Sequence, residues 1–136
     1  MKKFILVVSF FSAIVMFNGC NFTTAKIQDV KICNDLHDNA CDSDHPTLSI
    51  DDPEFYISCS VMNAPSDTKV KFSWYYTTGE RIEIDAVTVH LEEGGSLPVY
   101  SSLSAPYAGW PDGDYEVIIQ IEGHEDKTVV KTFTVR

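Results

Sequence analysis

Between Cys33 and His45 the chain reads CNDLHDNACDSDH, which places cysteine, histidine, cysteine and histidine four residues apart in turn. Two thiolates and two imidazoles are a donor set for tetrahedral zinc. The spacing departs from the usual zinc arrangements, which contain a close cysteine pair and a separate histidine pair. Asp35, Asp38, Asp42 and Asp44 in the same stretch offer oxygens that would suit calcium, but the segment lacks the central glycine and final glutamate of an EF-hand loop. A third chemistry competes with both. Outside the cytoplasm Cys33 and Cys41 can join as a disulfide, which removes both thiolates from any metal. That pairing, on a solvated acidic loop, is the favoured reading. A metal site of Cys33, His37, Cys41 and His45 is the alternative.

The choice depends on compartment, which the N-terminus addresses. Lys2 and Lys3 precede an uncharged, mostly apolar run of 14 residues, Phe4 to Phe17. Such a run fits a secretory signal and falls short of the ~20 residues that a membrane-spanning helix needs. It ends at Asn18-Gly19-Cys20, which resembles the lipobox of bacterial lipoproteins. Phe17 and Asn18 depart from that pattern, where leucine and then alanine or serine are usual. The resemblance implies a signal peptide over 1–19, a lipidated Cys20 that opens the mature chain, and a short polar tether over 20–26. It also implies a membrane-anchored protein of the cell envelope that faces the periplasm or the exterior. By analogy with enteric sorting, Asn21 rather than aspartate after the cysteine favours the outer membrane over the inner.

Cleavage before Cys20 leaves 117 of the 136 residues, enough for one domain with a single core. Losing Lys2 and Lys3 leaves 8 basic against 20 acidic residues, a net charge of −12. A surface so acidic repels nucleic acid phosphates and anionic lipids, so no nucleic acid partner is expected. Membrane attachment then falls to the acyl chains, at ~0.8 kcal/mol per buried CH₂.

From 27 to 136 the apolar residues alternate in short runs separated by Gly, Pro, Asp and Ser, the signature of an all-β domain. Phe55, Ile57, Cys59 and Val61 share one strand face. Val70, Phe72, Trp74 and Tyr76 share the next, with Lys69, Lys71 and Ser73 opposite. Between Arg81 and Leu91 the alternation changes phase, which predicts a bulge near Asp85-Ala86 or a strand that switches sheets. Leu97, Val99 and Leu103 form a weaker strand after Glu93-Gly94-Gly95-Ser96. Tyr115, Val117, Ile119 and Ile121 follow, then a hairpin loop at Gly123 to Asp126 and a last strand from Lys127. The total is seven or eight strands, with an acidic, cysteine-containing insertion near 33–52.

With Cys20 carrying lipid, Cys33, Cys41 and Cys59 remain, one pair and one leftover. Cys59 has the parity of a core residue, which suits a small buried hydrophobe. Cys33 and Cys41 enclose seven residues, so their closure contributes ~2 kcal/mol. A Cys41–Cys59 pairing is the competitor, and it would need Cys59 at the core edge.

Cys59, Trp74 and the run Gly113-Asp114-Tyr115-Glu116-Val117 occur in the order of the core cysteine, core tryptophan and corner tyrosine of the immunoglobulin-like β-sandwich, which the chain resembles from about 50 to 136. Val117 stands where that family has its second core cysteine, so the likeness moves toward fibronectin type III and other bacterial Ig-like modules without the inter-sheet disulfide. The chain is also similar to bacterial lipoproteins that end in a GWPxGxYxV strand. These resemblances imply an antiparallel Ig-like sandwich in which Trp74 and Tyr115 are structural. Trp110 is expected to cap the core, with ligand stacking as its other role.

No hydrolase, metalloprotease, phosphate-loop or C-x-x-C motif is present, so no catalytic residue and no cofactor is expected. His90 reads as a strand-edge residue and His124 as a loop residue. The expected function is a non-catalytic binding or accessory module with a protein partner in the envelope. Tyr75, Tyr107 and Trp110 are its candidate exposed aromatics. Zinc capture through the Cys33–His45 segment is the second expectation.

Overall fold

Each alternating run becomes a strand in the computed structural model, which describes residues 23–136. The eight strands are β1 (Lys26–Cys33), β2 (Thr47–Leu48), β3 (Glu54–Ala64), β4 (Thr68–Tyr76), β5 (Ile82–Leu91), β6 (Gly95–Ser104), β7 (Gly113–Ile121) and β8 (His124–Val135). No helix occurs among the described residues. The expected signal peptide, 1–19, and the expected lipidation site Cys20 lie outside them.

The strands form two sheets, β1-β3-β6 and β2-β8-β7-β4-β5. All neighbours are antiparallel except β2, which runs parallel to the end of β8. The result is an Ig-like β-sandwich. In the constant-type Ig domain the strand after the tryptophan strand's hairpin lies in the first sheet. Here that strand, β5, stays paired with β4, so three strands face five. The anchors fall as the resemblance implies, with Cys59 on β3, Trp74 on β4 and Val117 beside it on β7. Phe55, Ile57 and Val61 from one sheet meet Val70, Phe72, Trp74, Val117 and Ile119 from the other, all fully buried. Full burial of each such side chain contributes ~1.5–3 kcal/mol.

The turn before β7 is held from both sides. Tyr115 is buried, and its hydroxyl donates to the Pro111 carbonyl at 2.6 Å. Tyr76 donates likewise to the Asp112 carbonyl at 2.8 Å. Gly113 has φ +138°, and a Cβ there would lie 2.5 Å from Thr78 Oγ1, so both conformation and space require glycine. Burial, with the Tyr76 hydroxyl and Asp112 adding to it, pushes the Tyr115 phenol up to about 12.

Several expectations need correction. The segment near 33–52 is not an insertion on one sheet but the crossing between the two. It leaves β1, and its residues Thr47 and Leu48 pair with Thr134 and Val135. The β5 bulge falls at Ile84, between the Trp74–Asp85 and Tyr75–Glu83 pairs, and β5 does not switch sheets. The β7–β8 connection is only Glu122-Gly123, because His124 already pairs with Ile121. Lys26, assigned to the tether, opens β1, and Ala25 before it is fully buried.

Tyr115→Phe should lower stability by ~1 kcal/mol or more, because the Pro111 carbonyl loses its partner in a partly buried site. The denaturant midpoint reads this directly. An unchanged midpoint would mean that water replaces the hydroxyl without cost.

Candidate functional site

The cysteine–histidine segment is organised by its backbone rather than by a metal. Asp38 and Asn39 have φ of +52° and +64°, the two positive values of a type I′ turn, which Asp and Asn tolerate well. His37 and Ala40 on either side exchange amide–carbonyl bonds of 2.9 and 3.1 Å. Cys33 and Cys41 close around this hairpin as a disulfide with Cα atoms 5.8 Å apart. Both sulfurs are buried, and Cys59 is the free, buried cysteine. Burial pushes the Cys59 thiol up to about 12. With both sulfurs in the disulfide, neither Cys33 nor Cys41 has a thiolate to give to zinc.

The remaining side chains turn to separate tasks. His37 bonds the Asp42 carboxylate, which raises the imidazole above its ordinary value. His45 Nε2 meets Ser43 at 3.0 Å. Asp44 accepts from the Ile32 amide at 2.9 Å and from Lys131 at 2.6 Å. Burial alone would raise the Asp44 carboxyl, but those two donors outweigh it and hold it below the ordinary range. Among the described residues no three His, Cys, Asp or Glu side chains gather as a cation site.

The candidate aromatics divide. Trp110 is a correction as a binding residue, because it is buried. It stacks on Phe55 at 3.8 Å and donates to the Asp52 carbonyl, and so caps the core. Tyr75 is half-buried beneath the Arg81 guanidinium, 4.1 Å from its ring centre, while Arg81 also pairs with Glu116 at 2.6 Å. Tyr107 is fully exposed in the β6–β7 connection. These three do not share a surface.

The exposed apolar surface lies instead on β5. Ile82, Ile84 and Val87 are 53, 39 and 39% exposed. Val87 stands opposite Phe72, and Val89 opposite Val70, so both point toward the sandwich interior. Phe72 and Val70 are fully buried, yet Val87 is not. The difference follows from strand number: the three-stranded sheet ends at β6, and nothing among the described residues covers β5. A groove of about 370 Å³ runs between the two sheet edges, lined by Val87, Val89, Tyr100, Ser101 and Ser102. Carboxylates are frequent along β5 and its flanks. Glu80, Glu83, Asp85, Glu92 and Glu93 are exposed on or beside β5, and none of them forms an ion pair among the described residues. The sequence signal for this surface was the phase break after Arg81, where no single face collects all the apolar residues.

No protein-family model matches the chain, and no curated protein matches it. Among solved structures, a β-glucosidase involved in saponin metabolism from intestinal bacteria is similar over 85% of this chain at 16% identity and a TM-score of 0.51. β-Glucosidases from Erythrobacter marinus and Kluyveromyces marxianus are similar over 84% and 85% of it, at 12% and 19% identity and TM-scores of 0.49 and 0.46. This chain covers 16%, 16% and 15% of those three enzymes. Likeness at such identities shows the fold alone.

Replacing Cys33 and Cys41 together by serine should loosen residues 33–45 and leave β7 protected, at a cost of ~2 kcal/mol. Hydrogen exchange resolves the two regions, and global unfolding would place the disulfide among the core's requirements. The Asp44 contacts add a pH dependence. A carboxyl whose folded value is lowered contributes stability above its unfolded value of ~3.9, and that contribution fades as pH falls through the folded value. Exchange in the crossing should therefore rise first below about pH 4, and Asp44→Asn should abolish that acid step.

Proposed function

We propose that this chain is a lipid-anchored binding or accessory module of the cell envelope, without catalytic activity of its own, which engages a protein partner. The observation that carries the reading is the uncovered apolar side of β5. Single exposed apolar residues are ordinary on soluble domains, but three on one edge strand, with a groove beside them, are typical of an interaction surface.

The N-terminal pattern supplies the rest. A chain acylated at Cys20 reaches buried Ala25 in five residues, at most ~18 Å of extended backbone. Lys26 pairs with Met62, so β1 enters at the end of the sandwich that carries the β3–β4 and β7–β8 turns. That end would lie against the membrane. The Tyr115 corner and Tyr107 would then point away from it, and β5 would face sideways, free of the lipid surface.

Labelled fatty acid should enter the wild type and not Cys20→Ser, and fractionation should place the label in the outer membrane. Thiol counting checks the same point independently. The acylated protein should show no reactive thiol when folded and one, Cys59, when denatured. Two thiols on denaturation would mean that Cys20 is bare. For the binding reading, photoreactive residues placed singly at Ile84, Tyr107 and Val130 in the envelope should give a discrete cross-linked partner from at least one position. No product from any of them overturns it.

A further inference from the structure

We infer that the open edge of β5 receives an extended, basic segment of a partner protein as an added strand. The inference deepens the binding-module reading and rests on it. β5 is ten residues long and pairs on one side only, with β4. In an antiparallel ladder alternate residues direct their N–H and C=O groups away from the existing neighbour, so the free side of β5 carries donors and acceptors that no strand meets, with the Ala86 amide turned to Asp85 Oδ1 at 2.9 Å. Beyond the Ile84 bulge, Asp85 to His90 pair in unbroken register with β4, which gives a straight template of six residues.

Side chains along that template specify the occupant. An added strand would set alternate residues beside Asp85, Val87 and Val89, above the groove that Tyr100 walls from β6. Next to Val87 and Val89 the fitting residue is apolar. Next to Asp85 it is cationic, and the exposed Glu83, Glu92 and Glu93 extend the same preference along both ends. The nearby arginine does not neutralise them, since it is engaged with Glu116 and Tyr75. His90 is turned to Asp67 at 3.2 Å.

The same charges argue against a second copy of this chain. Two β5 strands paired antiparallel about Ala86 or Val87 would bring acidic Glu83 and Asp85 of both copies onto one short ladder, in molecules of net charge −10. The bulge at Ile84 interrupts such a ladder further. Basic and extended, rather than identical, is what the edge fits.

The test uses the full chain in a zwitterionic detergent, with hydrogen exchange read segment by segment. Three octapeptide probes are compared: a lysine–valine peptide, Thr-Val-Thr-Val-Thr-Lys-Thr-Lys, whose one face sets two valines and then lysine beside Val89, Val87 and Asp85; its counterpart with glutamate for lysine; and the lysine–valine peptide N-methylated at alternate residues so that one edge cannot donate. The lysine–valine peptide should slow exchange in 82–90, and the other two should not. Glu83→Lys combined with Asp85→Lys should weaken the peptide about tenfold, equivalent to ~1.4 kcal/mol, while β7 keeps its protection. Equal protection by the methylated peptide would reduce the effect to charge and overturn the inference. So would protection that falls on the acidic 33–45 crossing, no protection at all, or β5 protection that grows with protein concentration in the absence of peptide. If β5 stays unprotected while Tyr107 still cross-links a partner in the envelope, the strand-addition inference fails and the binding-module reading stands. Loss of both ends the reading itself.

Discussion

Phe55 is the ring on which the two sheets close. It is contributed by β3 of the smaller sheet, and its face lies 3.8 Å from Trp110. Its edge-on neighbours are Tyr115 and Phe133, at 6.1 and 5.6 Å, both from the larger sheet. Phe133 in turn meets Trp74 at 6.2 Å and stacks on Tyr115 at 5.2 Å. Aromatic pairs of this geometry contribute ~0.5–1.5 kcal/mol beyond their buried area. The polar atoms of the cluster are satisfied within it: Trp74 Nε1 donates to Ser101 across the sandwich at 3.1 Å, and Trp110 Nε1 donates to the Asp52 carbonyl. Because Asp52 ends the crossing and Trp110 belongs to the β6–β7 connection, one plug fixes the tryptophan, the corner tyrosine and the start of β3 together.

With that end closed, the sandwich must still deal with its edges, and it does so unequally. On the β1–β8 side the crossing seals both sheets. Ile32 donates to Asp44 and accepts from the His45 amide, Asp44 pairs with Lys131 of β8, and β2 adds two residues of parallel ladder. On the other side β5 and β6 end without a cover among the described residues. Five strands cannot be roofed by three, so the overhang leaves inward-pointing Val87 partly in water. A bulge and a row of acids are standard guards for such an edge against non-specific pairing. Here those guards also set the chemistry of what could be admitted.

The sequence made the strands legible where one face is fully buried. The parities of Phe55, Ile57 and Cys59, and of Tyr115, Val117 and Ile119, are those of the core. Cys59 followed from its parity, which favoured Cys33 with Cys41 over the competing Cys41–Cys59, and the structure closes the first of these. The Pro111–Tyr115 corner was readable because each residue in it has one conformational or bonding task. Three features were not readable. A two-residue strand such as Thr47–Leu48 has no period to detect, so the crossing looked like an insertion. Whether Ile82 and Ile84 are covered depends on how many strands stand in the opposite sheet, which local alternation does not encode. Trp110 carries the same letter whether it caps a core or awaits a ligand, and only the position of Phe55 beneath it decides.

The covalent link in the crossing invites the view that oxidation holds the closed side together, but the magnitudes argue otherwise. A loop as short as Cys33–Cys41 gains ~2–3 kcal/mol from closure. The same stretch is fixed by five further hydrogen bonds: Ile32 to Asp44, His45 to Ile32, Cys41 to Ser58, Thr134 to Pro46 and Arg136 to Leu48. At ~0.5–1.5 kcal/mol each, their sum is at least comparable. Four of the five lie wholly outside the disulfide loop's own residues and join the crossing to β1 and to the end of the chain at β8, so reduction would soften the hairpin around Asp38 without unsealing the edge. The difference between a closed side and an open side is therefore a property of strand count and register. It does not depend on whether Cys33 and Cys41 are joined.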